Sequence, residues 1–401
     1  MDRSWGISQM TAADYLFSAT FNQQSNYDAL AESALSRGVD HFSKGDYERA
    51  IGEFRRSIGL SPYSLNTPRS FDLMVQSLLK LDKTGEAITA YKQAIRLDPN
   101  NDTYHLSLGN IYFSQNRSQE AFEEYKRAVQ LNPVSTTNFY SLGQAALSVG
   151  RYQEAEQAFK KVAGMLPGDP DVVFALGQTY RQMGKYNEAV DQLNFAISRK
   201  KDFGDAYLEL GLAYAGLKEM DKANEQVAAL GKIDSTLQAD LKDLLYPRQR
   251  PRIRLAYNTD GFLPSSGPGT PVSSLDSSLQ TPGAAKDFTL HFIFDKEMNP
   301  SSVANPFNWN IKRAPGGNSW GGYNWNLPLP ATDAAIPLQP IGIVYHQDLL
   351  TADVTFRISQ NEAGNATIDP SHVMFRFSGK DAYGNAMDFS ADEYSGISLV
   401  V

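Results

Sequence analysis

Between residues 31 and 237 the apolar, small and polar positions recur with a period of 34. Leu108, Leu142, Leu176 and Leu210 each precede a glycine, and those glycines, Gly109, Gly143, Gly177 and Gly211, are spaced by 34. Twelve residues after each glycine stands Ala121, Ala155, Ala189 or Ala223. Going backwards, Gly38 pairs with Ala50 and Val75 with Ala87. Pro62, Pro99, Pro133 and Pro167 close four of the units; proline lacks an N–H and clashes with the preceding turn, so it ends a helix. After residue 286 the pattern changes to short β-branched or aromatic runs separated by turn residues: "DFTLHFIF", "FNWNIKR", "IGIVYH", "ADVTFRI", "HVMFRFS" and "GISLVV". Runs of that kind predict an all-β sandwich.

The 34-residue pattern resembles the tetratricopeptide repeat, helix–turn–helix, six times over. The resemblance covers about half the chain. It implies a solenoid in which each unit buries its apolar face against its neighbour. Gly and Ala are expected where the two helices of a unit cross, with Tyr91, Tyr125 and Phe159 filling the space between helix pairs. The departures are Val75 in place of glycine with three extra residues (65–67) before it, Lys201 and Ser235 in place of the closing proline, and Val227 in place of an aromatic. That weakening suits a C-terminal end, followed by a capping helix at 238–246. A tetratricopeptide solenoid implies a peptide-binding scaffold whose first helices line a concave face. By position in the repeat that face carries Leu106, Asn110, Phe113, Tyr140, Gln144, Leu147, Phe174, Gln178 and Arg181. The family's carboxylate clamp of Lys, Arg and Asn is not reproduced. The groove reads as aromatic and amide-rich, suited to an extended or helical segment with apolar anchors; the alternative is that several of these side chains pack between helices.

The expected organisation is a flexible or docking segment at 1–30, the solenoid with its cap at 31–246, a junction with a Pro/Gly/Ser-rich loop at 247–286, and the sandwich at 287–401. Thr11 is placed to cap a short helix carrying Tyr15, Leu16 and Phe21, a segment that suggests self-association. In the junction Arg248, Arg250, Arg252 and Arg254 alternate, so an extended chain puts them on one face and Ile253 and Leu255 on the other. The connector reading, arginines paired with nearby acids, is preferred over an anion-binding stripe. Residues 258–286 have no periodicity and are expected to be unpacked and the main protease-sensitive point.

"FTLHFIFDKEMNPSSVANPFNWNI" and "VMFRFSGKDAYGNAMD" resemble the bacterial Ig-like domains of S-layer and other surface proteins over residues 287–390. The resemblance implies a stalk, spacer or assembly module without catalysis, and a fold class of a tetratricopeptide α-solenoid followed by an Ig-like β-sandwich. In "FDKEMNPSSV" Asp295, Glu297 and Asn299 sit at every second position, as in a calcium loop, but Pro300 and Pro306 stand where an EF-type loop needs Gly and Glu. The preferred reading is that Asp295 ends a strand, Asn299 and Pro300 turn the chain and Met298 points inward; no metal is assigned. A non-EF site joining Asp295 or Glu297 to Asp381, Asn385 or Asp388 stays open. Trp309 is expected in the core. Trp320, Tyr323 and Trp325 form either a contact surface for protein or glycan, or a loop folded over the sandwich edge.

Composition narrows the function. There is no cysteine, which excludes disulfides, thiolate metal sites and cysteine nucleophiles. Residues 255–401 hold 7 Lys+Arg and 14 Asp+Glu, a net of −7, against −1 for the rest, and the acidic part argues against nucleic acid. No apolar run is long enough to span a bilayer, and the N-terminus lacks the basic and apolar regions of a cleaved signal peptide. "GNSWG", Gly317–Gly321, matches the G-x-S-x-G nucleophile pattern, but Gly322, Asn324 and Pro328 oppose the helix that pattern requires. The five histidines show no metal spacing. The expectation is therefore a non-enzymatic scaffold without cofactor, holding a protein or peptide partner. Its place is extracellular or at a bacterial cell surface by a route without a cleaved signal peptide. The alternatives are an intracellular or periplasmic adaptor or chaperone, and a glycan-binding surface protein.

Overall fold

The computed structural model describes residues 12–262, 265–315 and 322–395. The chain divides into two compact units, Met1–Leu241 and Lys242–Val401. The first is a run of antiparallel helix pairs: α1 (Ala12–Ser43) with α2 (Tyr47–Leu60), α3 (Thr67–Lys80) with α4 (Thr84–Leu97), α5 (Asp102–Ser114) with α6 (Ser118–Leu131), α7 (Thr136–Ser148) with α8 (Tyr152–Met165), α9 (Pro170–Gln182) with α10 (Tyr186–Arg199), and α11 (Gly204–Gly216) with α12 (Met220–Leu230). A thirteenth helix, α13 (Ser235–Leu245), follows. The division between the units falls inside α13, rather than after it at residue 246.

Local chemistry sets these helices. The inner helices α5, α7 and α9 start at side-chain caps: Asn101 accepts from the Thr103 N–H at 3.1 Å, Ser135 from the Asn138 N–H at 3.2 Å and Asp169 from the Asp171 N–H at 3.0 Å, each satisfying an N–H that the helix leaves unpaired. The turn inside each unit contains one residue at positive φ: Gly45, Asp82, Asn116, Gly150, Gly184 and Lys218, the last five spaced by 34. The repeat glycines at 38, 109 and 143 are seats for a ring, while Gly177 seats Leu193 and Gly211 seats Leu241. A Cβ on Gly109 would lie 2.6 Å from the Tyr125 ring, and one on Gly143 2.6 Å from the Phe159 ring. At Gly38, Gly109, Gly143 and Gly177 it is thus a side chain of the unit's second helix that excludes a larger residue, and at Gly211 one of α13.

One difference from the sequence reading concerns the N-terminal end. Residues 12–30, expected as a segment apart from the array, are continuous with its first helix, because no Gly or Pro interrupts the chain from Ala12 to Arg37. Residues 1–11, with the proposed cap Thr11, lie outside the described residues. The insertion before the second unit forms a turn in which Tyr63 and Leu65 are exposed.

The second unit is β-rich. Strands β1 (Ile253–Asn258), β3 (Ala285–Phe294), β6 (Thr351–Ser359) and β5 (Gly342–His346) form a four-stranded sheet in the order β1-β3-β6-β5. Strands β4 (Trp309–Arg313), β8 (Val373–Phe377) and β9 (Glu393–Tyr394) form a three-stranded sheet, and β2 (Thr270–Pro271) pairs with β7 (Thr367–Ile368). Every pair is antiparallel. The two larger sheets are open and share one core. Phe292 of β3 lies 5.0 Å from Trp309 and 5.8 Å from Phe375, and Phe356 of β6 lies 5.1 Å from Phe375, ring centre to ring centre. Period-two alternation makes this face: Phe288, Leu290, Phe292 and Phe294 are buried while the residues between them are not. The run "GISLVV" lies outside the described residues.

The junction departs from expectation. Ile253 is buried but Leu255 is exposed, because a bulge between them breaks the alternation that would have put both inward. Arg252 pairs with Asp388 at 3.4 Å and Arg250 stacks on Phe389 at 5.6 Å, as a connector requires. The loop at 258–286 is not an unpacked linker. Phe262, Val272, Leu275 and Leu279 are buried in the β core, and β2 pairs within the unit. These four apolar side chains, spaced irregularly among Pro, Gly and Ser, leave no periodic signal yet bury as fully as a strand. Leu279→Ala should therefore lower the stability of the β unit by about 2–5 kcal/mol, the range for truncating a buried leucine. A change within about 0.5 kcal/mol in urea denaturation, as surface positions show, would restore the linker reading.

Candidate peptide-binding groove

Three successive inner helices, α5, α7 and α9, carry the residues assigned to the concave face. Phe113, Gln144, Leu147 and Gln178 come together around a cavity of about 420 Å³, with Ser148 and Gln182 beside them. Phe113, Gln144, Leu147 and Gln178 are all half-buried: helix packing holds their stems and one side stays open.

The other assigned residues behave differently. Leu106 is half-buried against the helical core. The Tyr140 ring meets Phe159 edge-on at 5.6 Å and Phe174 lies 4.8 Å from Phe203, so both aromatics spend much of their surface on packing between helices. Asn110 is exposed and accepts from the Tyr125 hydroxyl at 2.8 Å. Burial pushes the Tyr125 hydroxyl up to about 12, which keeps it a neutral donor. Burial likewise raises the Tyr140 hydroxyl, against a lowering hydrogen bond from Gln144 Nε2 at 3.2 Å. Arg181 pairs with Glu209, which also accepts from Gln178 Nε2 at 2.9 Å.

Glu209 was missed from sequence. It is buried on α11, and it stands where the three preceding units carry Ser107, Ser141 and Ala175. A charge replacing small residues at one repeat position was a readable signal. Glu209 turns Arg181 from a free anion-binding group into half of an internal ion pair.

In the β unit the aromatic trio separates. Trp320 and "GNSWG" lie outside the described residues. Tyr323 is buried, donating to Asp333 Oδ1 at 2.8 Å and accepting from the Asp369 N–H at 3.2 Å, so it offers no contact surface. Trp325 is 43% exposed in a turn where Asn324, Trp325 and Asn326 all have positive φ. Trp309 is in the core. At "FDKEMN" the strand ends at Phe294, Asp295 Oδ1 accepts from the Arg252 N–H at 2.8 Å, Met298 is buried, and Asn299 caps the short helix α14 (Pro300–Val303). The residue nobody would single out there is Lys296. It is 2% exposed, with its ammonium 2.8 Å from Asp381 Oδ2 and 4.8 Å from the centres of both the Tyr246 and Tyr383 rings. The acids considered for a cation already have partners: Asp381 has Lys296 and Asn385, Asp388 has Arg252, and Glu297 has Gln347.

Comparison with known proteins agrees with the repeat reading. A family model described as "TPR repeat" matches residues 76–116, 109–150 and 177–218, and one described as "Tetratricopeptide repeat" matches 146–194. No curated protein matches the chain. Among solved structures, the MamA protein is 26% identical with a TM-score of 0.38, over 45% of this chain and 94% of its own. A tetratricopeptide repeat protein from Parabacteroides merdae is 17% identical with a TM-score of 0.47, over 54% and 88%. YrrB, described as a TPR protein with an unusual peptide-binding site, is 20% identical with a TM-score of 0.42, over 47% and 97%. The region of residues 76–218 thus carries tetratricopeptide repeats.

Proposed function

We propose that the protein is a non-enzymatic interaction scaffold whose repeat unit holds a segment of a partner protein. The observation that carries this reading is the cavity of about 420 Å³ at which Phe113, Gln144, Leu147 and Gln178 converge from the first helices of three successive units. Apolar side chains provide burial at about 25 cal/mol per Å² of area covered, and carboxamides provide orientation. The β unit, with two open antiparallel sheets over one core, serves as an Ig-like spacer or assembly module in a bacterial cell-surface or extracellular structure. That part rests on the likeness of its strand-end motifs to surface-protein domains.

The test uses the full-length chain in its native cells. A photo-crosslinking phenylalanine at Leu147 should capture a partner protein, and the same group at Glu188 on α10 should not. Phe113→Ala with Leu147→Ala should lower the affinity for that partner at least about tenfold, roughly 1.4 kcal/mol. Tyr140 and Phe174 are poorer probes, since their packing on Phe159 and Phe203 mixes binding with stability. Equal capture from both positions overturns the groove. The location is checked by protease treatment of intact cells: a protein left whole until lysis is not at the surface.

A further inference from the structure

The four-stranded sheet has two outer strands, β1 and β5, and they are built differently. β1 carries a bulge between Ile253 and Leu255 and holds Arg254, with Arg252 just before it. Charges and bulges of that kind keep an edge from pairing with another chain. β5, from Gly342 through Ile343, Val344 and Tyr345 to His346, contains no Lys, Arg, Asp, Glu or Pro, and it pairs with β6 without a bulge. Among the described residues, no backbone group of any other element bonds to residues 342–346. The N–H and C=O groups that point away from β6 are open.

The strand is fixed from its other sides. Tyr345 faces the core, its hydroxyl accepting from the Met298 N–H at 2.9 Å and its ring centre 6.4 Å from that of Phe294. His346 bonds Asp353 through Nε2 at 2.9 Å. Val344 stands opposite Asp353 on the outer face and is 56% exposed. Exposed apolar side chains flank the strand: Leu338 and Ile341 before it, Leu349 after it.

We propose that β5 pairs antiparallel with β5 of a second copy of this chain, about a two-fold axis beside Val344, so that the two sheets continue into one another. The proposal rests on the assembly-module reading of the β unit and names its partner. The edge is complementary to itself. An axis at Val344 sets that residue against its own copy, Ile343 against the partner's Tyr345 and Gly342 against the partner's His346. Gly342 is exposed, and a Cβ there would meet nothing nearer than its own Thr355 at 3.7 Å, so an imidazole has room above it. Antiparallel pairing also brings the start of one strand beside the end of the other. Leu338 and Ile341 of each copy then lie towards the partner's Leu349, and covering such surface is favourable by about 25 cal/mol per Å². The strand itself places no formal charge in the contact. A contact of this kind uses the same patch on both copies and closes at two. Pairing β5 onto β1 of the next copy would run on without closing, and the bulge and arginines of β1 oppose it.

The chain has no cysteine, so Val344→Cys in the full-length protein introduces a single thiol. Directly opposed residues of an antiparallel pair have Cβ atoms about 4.5–5.5 Å apart, which suits a disulfide spanning about 4.4–6.8 Å between Cα atoms. We expect mild oxidation to join Val344→Cys to itself, and Leu255→Cys, on β1, not to be joined. We also expect the wild type to sediment as a dimer in a concentration-dependent way, and Val344→Lys to weaken dimerisation at least about tenfold at an unchanged melting temperature. If the wild type associates but Val344→Lys associates equally well, the β5 pairing is overturned, while an assembly role through another surface stands. If Val344→Cys is joined only when mixed with Leu255→Cys, the pairing is β5 onto β1 and the two-fold proposal is overturned. If the wild type stays monomeric at the highest concentration at which it is soluble and neither thiol is joined, the pairing and the self-assembly of the β unit both fall.

Discussion

Replacing Lys296 with methionine should lower the stability of the β unit by about 3–5 kcal/mol, the cost of breaking a buried ion pair from one side. The Lys296 ammonium donates to the carbonyls of Tyr246 and Gln249 at 2.8 and 2.9 Å, besides its contact with Asp381 and the two tyrosine rings. Methionine keeps the stem and removes the ammonium from the carbonyls of Tyr246 and Gln249 and from the fully buried Asp381 carboxylate, which keeps its hydrogen bonds from Asn385 and the Tyr383 N–H but loses its only cation. Asp381→Ala should cost a similar amount, and the pair of substitutions together should cost clearly less than the sum of the two. Urea denaturation of the full chain, followed by the fluorescence of buried Trp309, checks all three. A loss below about 1 kcal/mol for Lys296→Met would mean that water reaches the pair and screens it.

The same pair sets an acid dependence. Burial works to raise the Asp381 carboxyl, but hydrogen bonds from Asn385 and Lys296 outweigh it and hold the group below its ordinary 3.8. The folded state therefore binds the proton less readily than the unfolded chain. The stabilisation is fully present above the ordinary value and is lost as pH falls through the lower folded one. Wild-type stability should decline below about pH 4, and Asp381→Ala should flatten that decline. An identical pH profile in the two proteins would remove Asp381 from the account.

Gly143→Leu should destabilise the repeat unit by about 1–3 kcal/mol, the range for overpacking. The first added carbon would lie 2.6 Å from Phe159 Cε1 and 2.7 Å from Cζ, inside any tolerable contact, so the ring or the helix must move. Gly164, also within a helix, is the control: a Cβ there has nothing within 4 Å. Gly164→Ala should raise stability by about 0.5–1 kcal/mol, since alanine restricts the unfolded chain and favours the helix. Thermal melts by circular dichroism read both. Equal effects of one sign would show that packing against Phe159 does not govern position 143.

The repeat unit was legible because its contacts are short in sequence and recur. Gly38 meets Phe54, Gly109 meets Tyr125, Gly143 meets Phe159 and Gly177 meets Leu193, each 16 residues on, so one spacing repeated along the chain encodes the packing of those four units. The strands at 285–294, 351–359 and 373–377 were legible for a related reason: alternation of Phe, Leu and Val with polar residues is local, and it fixes which side chains face inward. Which strands pair, and which polar groups meet, is not local. Lys296 finds Asp381 across 85 positions, and His291 and His346 share the carboxylate of Asp353 at 2.6 and 2.9 Å from strands that no spacing rule connects. Tyr323 turns inward because Asp333 and Asp369 wait for its hydroxyl, and residues 258–286 fold down because four scattered apolar side chains find room in the core. On the concave face the repeat register chose the helices and the amide positions, while the tertiary structure decided that Tyr140 and Phe174 lean into the packing and that Glu209 takes the charge of Arg181. Periodic sequence fixes what touches within one turn or one repeat; groups brought together by sheet pairing depend on the loops and register between them, and only the folded chain determines those.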